Sequence, residues 1–388
     1  MRILIDYRPA LRERSGVGEY VHQLARALAR DGPADEIVAF TSSWSDRPSA
    51  DSQAELLPAR IVDLRLPVRA LNLAWHRLGW PPIERLTRSI FDVVHSPHPL
   101  LLPSRNAAQV VTVHDLDFLS HRDRVHAEIR RDYRALVAGH ARRADRVVVP
   151  SRYTAGLVER LLGVPRDLVS VCPEGVPDWP SASREVRSGR RPGYLLFIGT
   201  LEARKNIPGL LAAYRALVAQ LPDAPSLVLA GKAPPEATPW LRDMREPPFA
   251  GRVEHLGYVE PAERRDVYGG AACLILPSFD EGFGLPVVEA MSLGVPVIAA
   301  NRGALPEVLG DAGILIEPDD PAGIAAAMAR VLGDADVAAD LAARGRNRAR
   351  QYTWQRCAAL TREAYALAID ARRQRTRRGN PRPPGAGP

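Results

Sequence analysis

Short apolar runs alternate with helix-patterned stretches along this chain, and the alternation occurs twice, on either side of a segment that breaks it. In the first half the runs Ile3–Asp6, Ile37–Phe40, Ile61–Leu64, Val93–His95, Val110–Val113, Arg146–Val149 and Val169–Val171 have the length and β-branched content of buried strands. Within Gly16–Arg30, apolar side chains recur at Val17, Tyr20, Val21, Leu24, Ala25 and Leu28, the spacing of one helix face. Ser151 stands where an N-cap belongs for a helix running to Leu162. The second half restarts the pattern, with strands at Leu195–Ile198, Leu227–Ala230, Val253–Leu256, Cys273–Leu276, Val295–Ala299 and Gly313–Ile316. Helices are expected at Pro208–Gln220, Ala262–Tyr268, Pro286–Leu293, Ala322–Leu332, Asp336–Arg350 and Trp354–Ala371. Strands joined through helices must lie parallel, with helices over both sheet faces. The reading is therefore α/β, with two doubly wound parallel-sheet domains. They occupy residues 1–175 and 193–352, separated by a Pro-, Gly- and Ser-rich linker at 176–192 and followed by a helix at 353–371. No solenoid repeat is visible.

Charge narrows the partners. The formal net charge is +7, but six arginines and no acid fall in 372–388, so residues 1–371 carry only +1. The body is nearly neutral, which argues against a nucleic-acid partner. The Arg-, Pro- and Gly-rich tail is expected to be disordered, leaving room for a weak peripheral membrane contact. No run approaches the ~18–20 apolar residues of a membrane span. Met1–Asp6 turns polar too soon for a secretory leader, so the expected location is cytoplasmic. The cysteines Cys172, Cys273 and Cys357 form no CxxC pair, which points to buried apolar residues, not a zinc site or disulfide framework. Of 52 basic residues only Lys205 and Lys232 are lysines, and both follow apolar strands of the second half. A compact point charge and a planar fork are not interchangeable at a tight site.

The stretch Pro277–Ala290 carries the most chemistry. A strand ends, a loop with Gly282 and Gly284 follows, and Pro286 opens a helix. The glycines let a ligand approach the backbone, and the free N–H groups from Phe283 through Leu285 to Val287 suit a phosphate. Glu281 and Glu289 flank that point, and carboxylates accept hydrogen bonds from sugar hydroxyls. The plain alternative is a surface acid and a dipole-favoured helix acid. A second motif, Gly199-Thr200-Leu201-Glu202-Ala203-Arg204-Lys205-Asn206, places a turn and two adjacent cations after a strand, as a pyrophosphate would need. Lys232, after Gly231, is a weaker candidate. Ser15-Gly16-Val17-Gly18 is a glycine turn opening a helix, but the third glycine and the ribose-binding acid of a dinucleotide site are missing. His114 ends a strand in Val-His-Asp-Leu, where open α/β sheets face their ligands. Asp115-Leu116-Asp117 spells a metal-binding D-x-D, set aside because the cations and helix end can neutralise phosphate without metal. His95-Ser96-Pro97-His98 either lines an acceptor side or is structural. Trp75 and Trp80, set among Arg69, Arg77, Arg85 and Arg88, mark either a packed surface helix or a membrane-facing one.

Glu281 and Glu289, eight apart in Glu-Gly-Phe-Gly-Leu-Pro-Val-Val-Glu, resemble the E-x7-E motif of retaining glycosyltransferases of the GT-B fold. The order of motifs over roughly residues 1–370 is similar to that of glycosyltransferase family 4. The resemblance implies two Rossmann-like domains facing a cleft, with the nucleotide-sugar donor on the second domain and the acceptor entering from the first. It implies that Glu281 contacts the donor sugar, Glu289 the ribose, and His114 the sugar again. The Arg204–Lys205 pair would offset leaving-group charge, the more so because Thr200 replaces an arginine found in some members. The implied donor-binding set is Gly16, Gly18, Gly199, Thr200, Gly282, Phe283, Gly284, Leu285 and Glu289. His114, Glu281, Arg204 and Lys205 form the catalytic set, with Lys232 and Asp115 as weaker members. No metal or other cofactor is expected, and the last helix would pack back on the first domain. The motif set looks most like bacterial mannosyltransferases of surface polysaccharide assembly. That makes GDP-mannose the first-choice donor and a glycan, a lipid-linked glycan or a small molecule the acceptor. A non-catalytic scaffold of the same fold is the alternative. A Rossmann oxidoreductase or epimerase lacks its fingerprint and its Tyr/Lys pair here.

Overall fold

The computed structural model describes residues 1–11, 14, 16–30, 35–120, 133–179 and 193–377. The chain divides into two compact units: Met1–Glu174 with the chain from Trp354 onward, and Gly175–Thr353.

The first unit holds a seven-stranded parallel sheet. Its strands are β1 (Arg2–Asp6), β2 (Glu36–Ser42), β3 (Arg60–Leu64), β4 (Val93–Ser96), β5 (Ala108–Thr112), β6 (Arg146–Val149) and β7 (Val169–Val171), in the order β3-β2-β1-β4-β5-β6-β7. The second unit holds six parallel strands, β8 (Tyr194–Ile198), β9 (Leu227–Ala230), β10 (Val253–Gly257), β11 (Ala271–Leu276), β12 (Val297–Ala300) and β13 (Ile314–Ile316), ordered β10-β9-β8-β11-β12-β13. Each order reverses once, between β1 and β4 and between β8 and β11. In such sheets the loops leaving the two strands at the reversal diverge and leave a crevice outside their carboxyl ends. The central strands are apolar throughout: Leu195–Phe197 and Cys273–Leu276 are wholly buried. Both sheet faces are covered, so these strands read as continuous apolar runs.

The last helix, Trp354–Arg377, belongs to the first unit. Tyr365 bonds His95 Nδ1 at 2.7 Å, and Arg362 reaches the Leu28 carbonyl and, at 3.2 Å, Asp35. This helix corrects the expected tail: Arg372–Arg377 are helical, and Arg372 and Arg375 donate to the carbonyls of Arg105 and Arg143. Arginine is a good helix former, so a helix anchored upstream extends through these positions. Residues 378–388 lie outside the described residues. The linker is likewise tied down at its start. Val176 bridges Thr353, and Trp179 donates to Ser292 Oγ at 2.8 Å; residues 180–192 lie outside the described residues.

Tertiary packing decides two alternatives that the sequence left open. Trp75 is core, enclosed with Phe40 and donating through Nε1 to the Pro81 carbonyl; Trp80 alone of the pair is exposed. His95 is wholly buried between Tyr365 and Thr112, so it lines nothing. His98 is only part-buried and rests on Asp6 at 3.1 Å. Among the described residues no helix is long and apolar enough to cross a membrane.

Candidate active site

The loops leaving β8 and β11, the reversal pair of the second unit, bring the expected residues together. After β8 the chain turns at Gly199 and makes one short turn at Ala203–Lys205, and Asn206 caps the helix Ile207–Gln220 through its side chain. After β11 the loop Pro277–Gly284 leads into the helix Leu285–Ser292. That helix begins at Leu285, so Pro286 is its second residue and not its first. Gly284 caps it at φ +103°, and a Cβ there would sit 2.7 Å from Leu305 Cδ2.

Glu281 is the hub. It is buried, and its Oε1 accepts from Lys205 Nζ and from Ser278 Oγ at 2.7 Å. Its Oε2 takes Arg204 Nη1 at 3.3 Å, and Arg204 Nε also meets Glu202 at 3.1 Å. Burial alone would raise the Glu281 carboxyl, but the Lys205 and Arg204 charges outweigh it and hold the group down to about 2. Burial and the neighbouring Arg204 push the Lys205 ammonium down. The governing direction for this pair is that of the carboxylate. Two cations face one acid, so Glu281 is ionised and Lys205 keeps its proton. Lys205 is enclosed, whereas Arg204 keeps about a quarter of its side chain in solvent. The cation available to an incoming anion is therefore Arg204.

Glu289 lies one turn inside the helix and is also buried. Tyr268 Oη donates to its Oε2 at 2.6 Å. Burial and then the Glu289 charge drive the Tyr268 phenol well up, which keeps it a donor. The Thr200 carbonyl accepts from Glu202 N at 2.8 Å, and Leu201 N donates to the Lys232 carbonyl at 2.8 Å. Lys232 itself is exposed, with Nζ 5.8 Å from the centre of the Tyr258 ring, so it is not drawn into the Glu281 cluster. Phe283 is buried edge-on against Tyr352 at 5.6 Å.

Gly16, Gly18, His114 and Asp115 belong to the first unit. Gly16 receives the first bond of the helix Val17–Arg30 from Tyr20, whose ring stands edge-on to His114 at 4.5 Å; Ser15 lies outside the described residues. Gly18 is buried in the first turn. His114 Nε2 meets the Pro97 carbonyl at 3.1 Å and Nδ1 meets Glu174 at 3.2 Å. Both nitrogens are occupied, so the ring orientation is fixed. Asp115 accepts from Asp117 N at 3.4 Å, next to the short helix Asp117–Ser120. Among the described residues no group of three or more His, Cys, Asp or Glu is placed to hold a metal ion.

Four participants are absent from the motif reading: Ser278, Tyr268, Glu174 and Gly303. Tyr268 and Glu174 are hydrogen-bond partners from elsewhere in the chain, and only Ser278, three residues before Glu281, had a local signal. Gly303 supports the loop from below at φ +62°. A Cβ there would lie 2.7 Å from both the N and the O of Glu281, while Ala304 N donates to the same oxygen. Gly303→Ala is expected to cost ~2 kcal/mol or more, from left-handed strain and backbone overlap together. Thermal unfolding and turnover of that variant should fall together; a variant that melts and turns over like wild type would remove Gly303 from the site.

Two loops with paired cations and buried carboxylates, set over the carboxyl ends of the reversal strands of a Rossmann-like sheet, define a glycosyltransferase of the GT-B class. Known proteins bear this out. The Glycosyltransferase Family 4 model matches residues 14–179 and the model for glycosyl transferases group 1 matches residues 192–334. The O-antigen chain mannosyltransferase B of Escherichia coli is 30% identical over 387 residues, covering 95% of this chain and all of that one. A glycogen synthase of Mycobacterium tuberculosis is 28% identical over 96% of both chains. The solved structure of a sucrose-phosphate synthase from Thermosynechococcus elongatus superposes with a TM-score of 0.75 at 22% identity, over 95% of this chain and 99% of that one. The chain belongs to glycosyltransferase family 4.

Proposed function

We propose that this glycosyltransferase transfers mannose from GDP-mannose, with retention of anomeric configuration and without a metal ion, to a glycan or lipid-linked acceptor. The observation that carries the reading is the Glu281 hub: an ionised carboxylate clamped by Lys205 and Ser278, with Arg204 beside it and Glu289 one turn inside the helix that follows. A clamped carboxylate offers fixed acceptor lone pairs to sugar hydroxyls, which orients the sugar for reaction. Arg204 and the N–H groups opening the helix Leu285–Ser292 would meet the charge that grows on the departing diphosphate. In the favoured reaction, the bond from the anomeric carbon to the diphosphate oxygen breaks. The acceptor hydroxyl oxygen forms its bond on the same face, and its proton passes to the departing phosphate oxygen. His114, held by Glu174 and Pro97, takes the sugar-contacting role that its motif implies. Mannose is favoured by the mannosyltransferase relative matched along its whole length.

Calorimetric titration of GDP and UDP, with a chelator present, into wild type and Glu289→Ala tests this. GDP should bind wild type, and the variant should bind it about 10- to 100-fold more weakly, the worth of a charge-assisted hydrogen bond. A preference for UDP would keep the enzyme class and discard GDP-mannose. Binding of neither nucleotide would overturn the proposal.

A further inference from the structure

The segment between Leu64 and Phe91 has two faces. Leu71, Trp75 and Ile83 point into the core of the first unit. On the other side Leu73 is 61%, Leu78 74%, Trp80 51% and Ile90 69% exposed. Five of the twelve exposed large apolar side chains among the described residues fall within Leu66–Ile90. That clustering is not the scatter expected of an ordinary surface.

The exposed charges within residues 65–90 have one sign. Arg65, Arg69, Arg77, Arg85 and Arg88 are all exposed. The one acid between Leu64 and Phe91 is Glu84, and its Oε1 is turned inward onto Ser104 Oγ at 2.5 Å and Arg105 N at 3.1 Å. In the helix Val68–Leu73 and its wider last turn, Ala74–Leu78, Arg69, Leu73 and Arg77 recur every fourth residue opposite Leu71 and Trp75. The Arg85 guanidinium lies over the Trp80 ring at 5.5 Å. An aromatic ring and leucines set among arginines, with no exposed acid within residues 65–90, complement a surface that is apolar below and negatively charged above.

We propose that this face, residues 65–90, docks the enzyme on an anionic lipid bilayer. Leu73, Leu78, Trp80 and Ile90 enter the headgroup boundary while the arginines meet lipid phosphates. The alternative membrane contact, the basic tail, has charge but no apolar side chains to insert.

Flotation of the full chain with phosphatidylcholine vesicles, with or without roughly a quarter phosphatidylglycerol, tests the assignment. Wild type should float with the anionic vesicles and not with the neutral ones. Leu78→Ser/Trp80→Ser should bind at least ~10-fold more weakly, as should Arg69→Glu/Arg77→Glu, because insertion and charge act together. Melting temperatures matching wild type would show that these exposed changes leave the fold intact. The chain cut after Arg377 should float like wild type. The proposal is overturned if wild type ignores anionic vesicles, or if either double variant binds undiminished. It is also overturned if removing 378–388 abolishes binding, or if wild type sediments as a dimer that Leu78→Ser/Trp80→Ser converts to a monomer.

Discussion

Glu281→Gln should lower turnover by about 100- to 1000-fold, the range seen when one preorganised polar group is removed from a transition-state site. The amide keeps the shape and one acceptor oxygen but loses the charge that two cations and Ser278 surround. Nucleotide affinity, which the proposed function assigns to Glu289 and the helix start, should change little. Steady-state turnover beside nucleotide titration separates the two effects. A variant that binds nucleotide normally and turns over at the wild-type rate would remove Glu281 from the chemistry. The same substitution should also destabilise, because it strands the Lys205 ammonium in a buried position.

Lys205→Met approaches the pair from the other side. It leaves Glu281 buried with only Arg204 and Ser278, and breaking a buried pair in this way costs about 3–5 kcal/mol at neutral pH. The pH dependence fixes the sign. In wild type the folded-state value for Glu281, about 2, lies below its ordinary 4.5. Its stabilisation is therefore fully present above the ordinary value and is lost progressively as pH falls from there through about 2. Without Lys205 the folded-state value rises, so the carboxylate is neutralised at higher pH. The penalty of the variant should then shrink as the solution is acidified, because a neutral carboxyl no longer misses its cation. Urea unfolding of both proteins across the acid range reads this directly. Curves that stay parallel down to the lowest pH would show that Lys205 does not hold the charge of Glu281.

The alternation of strand and helix was legible because buried parallel strands must be apolar along their whole length. Arg146–Val149 and Leu227–Ala230 match their strands residue for residue. The Glu281 loop was legible for a different reason. Glycines, a proline near a helix start and two spaced acids are local requirements of a backbone that must face a ligand. Tyr268 and Glu174 were illegible, since what matters about each is a partner 21 or 60 residues away. Trp75 and His95 each stayed open between two readings for the same reason. A tryptophan among arginines and a histidine at a strand end look like surface residues until Phe40, Tyr365 and Thr112 enclose them. Arg372–Arg377 were misread because their order comes from the helix before them and from backbone carbonyls of Arg105 and Arg143, not from any apolar periodicity of their own.

The last helix has a consequence for how the protein is born. The second unit is one uninterrupted stretch, Gly175–Thr353, and can close its sheet as soon as that stretch has left the ribosome. The first unit begins earlier but stays open longer. His95 waits for Tyr365, and Asp35 waits for Arg362, both supplied by the final helix. The half that is translated first is thus completed last, and a nonsense codon shortly after Thr353 would spare the half that carries Glu281 while leaving the other with an uncovered sheet.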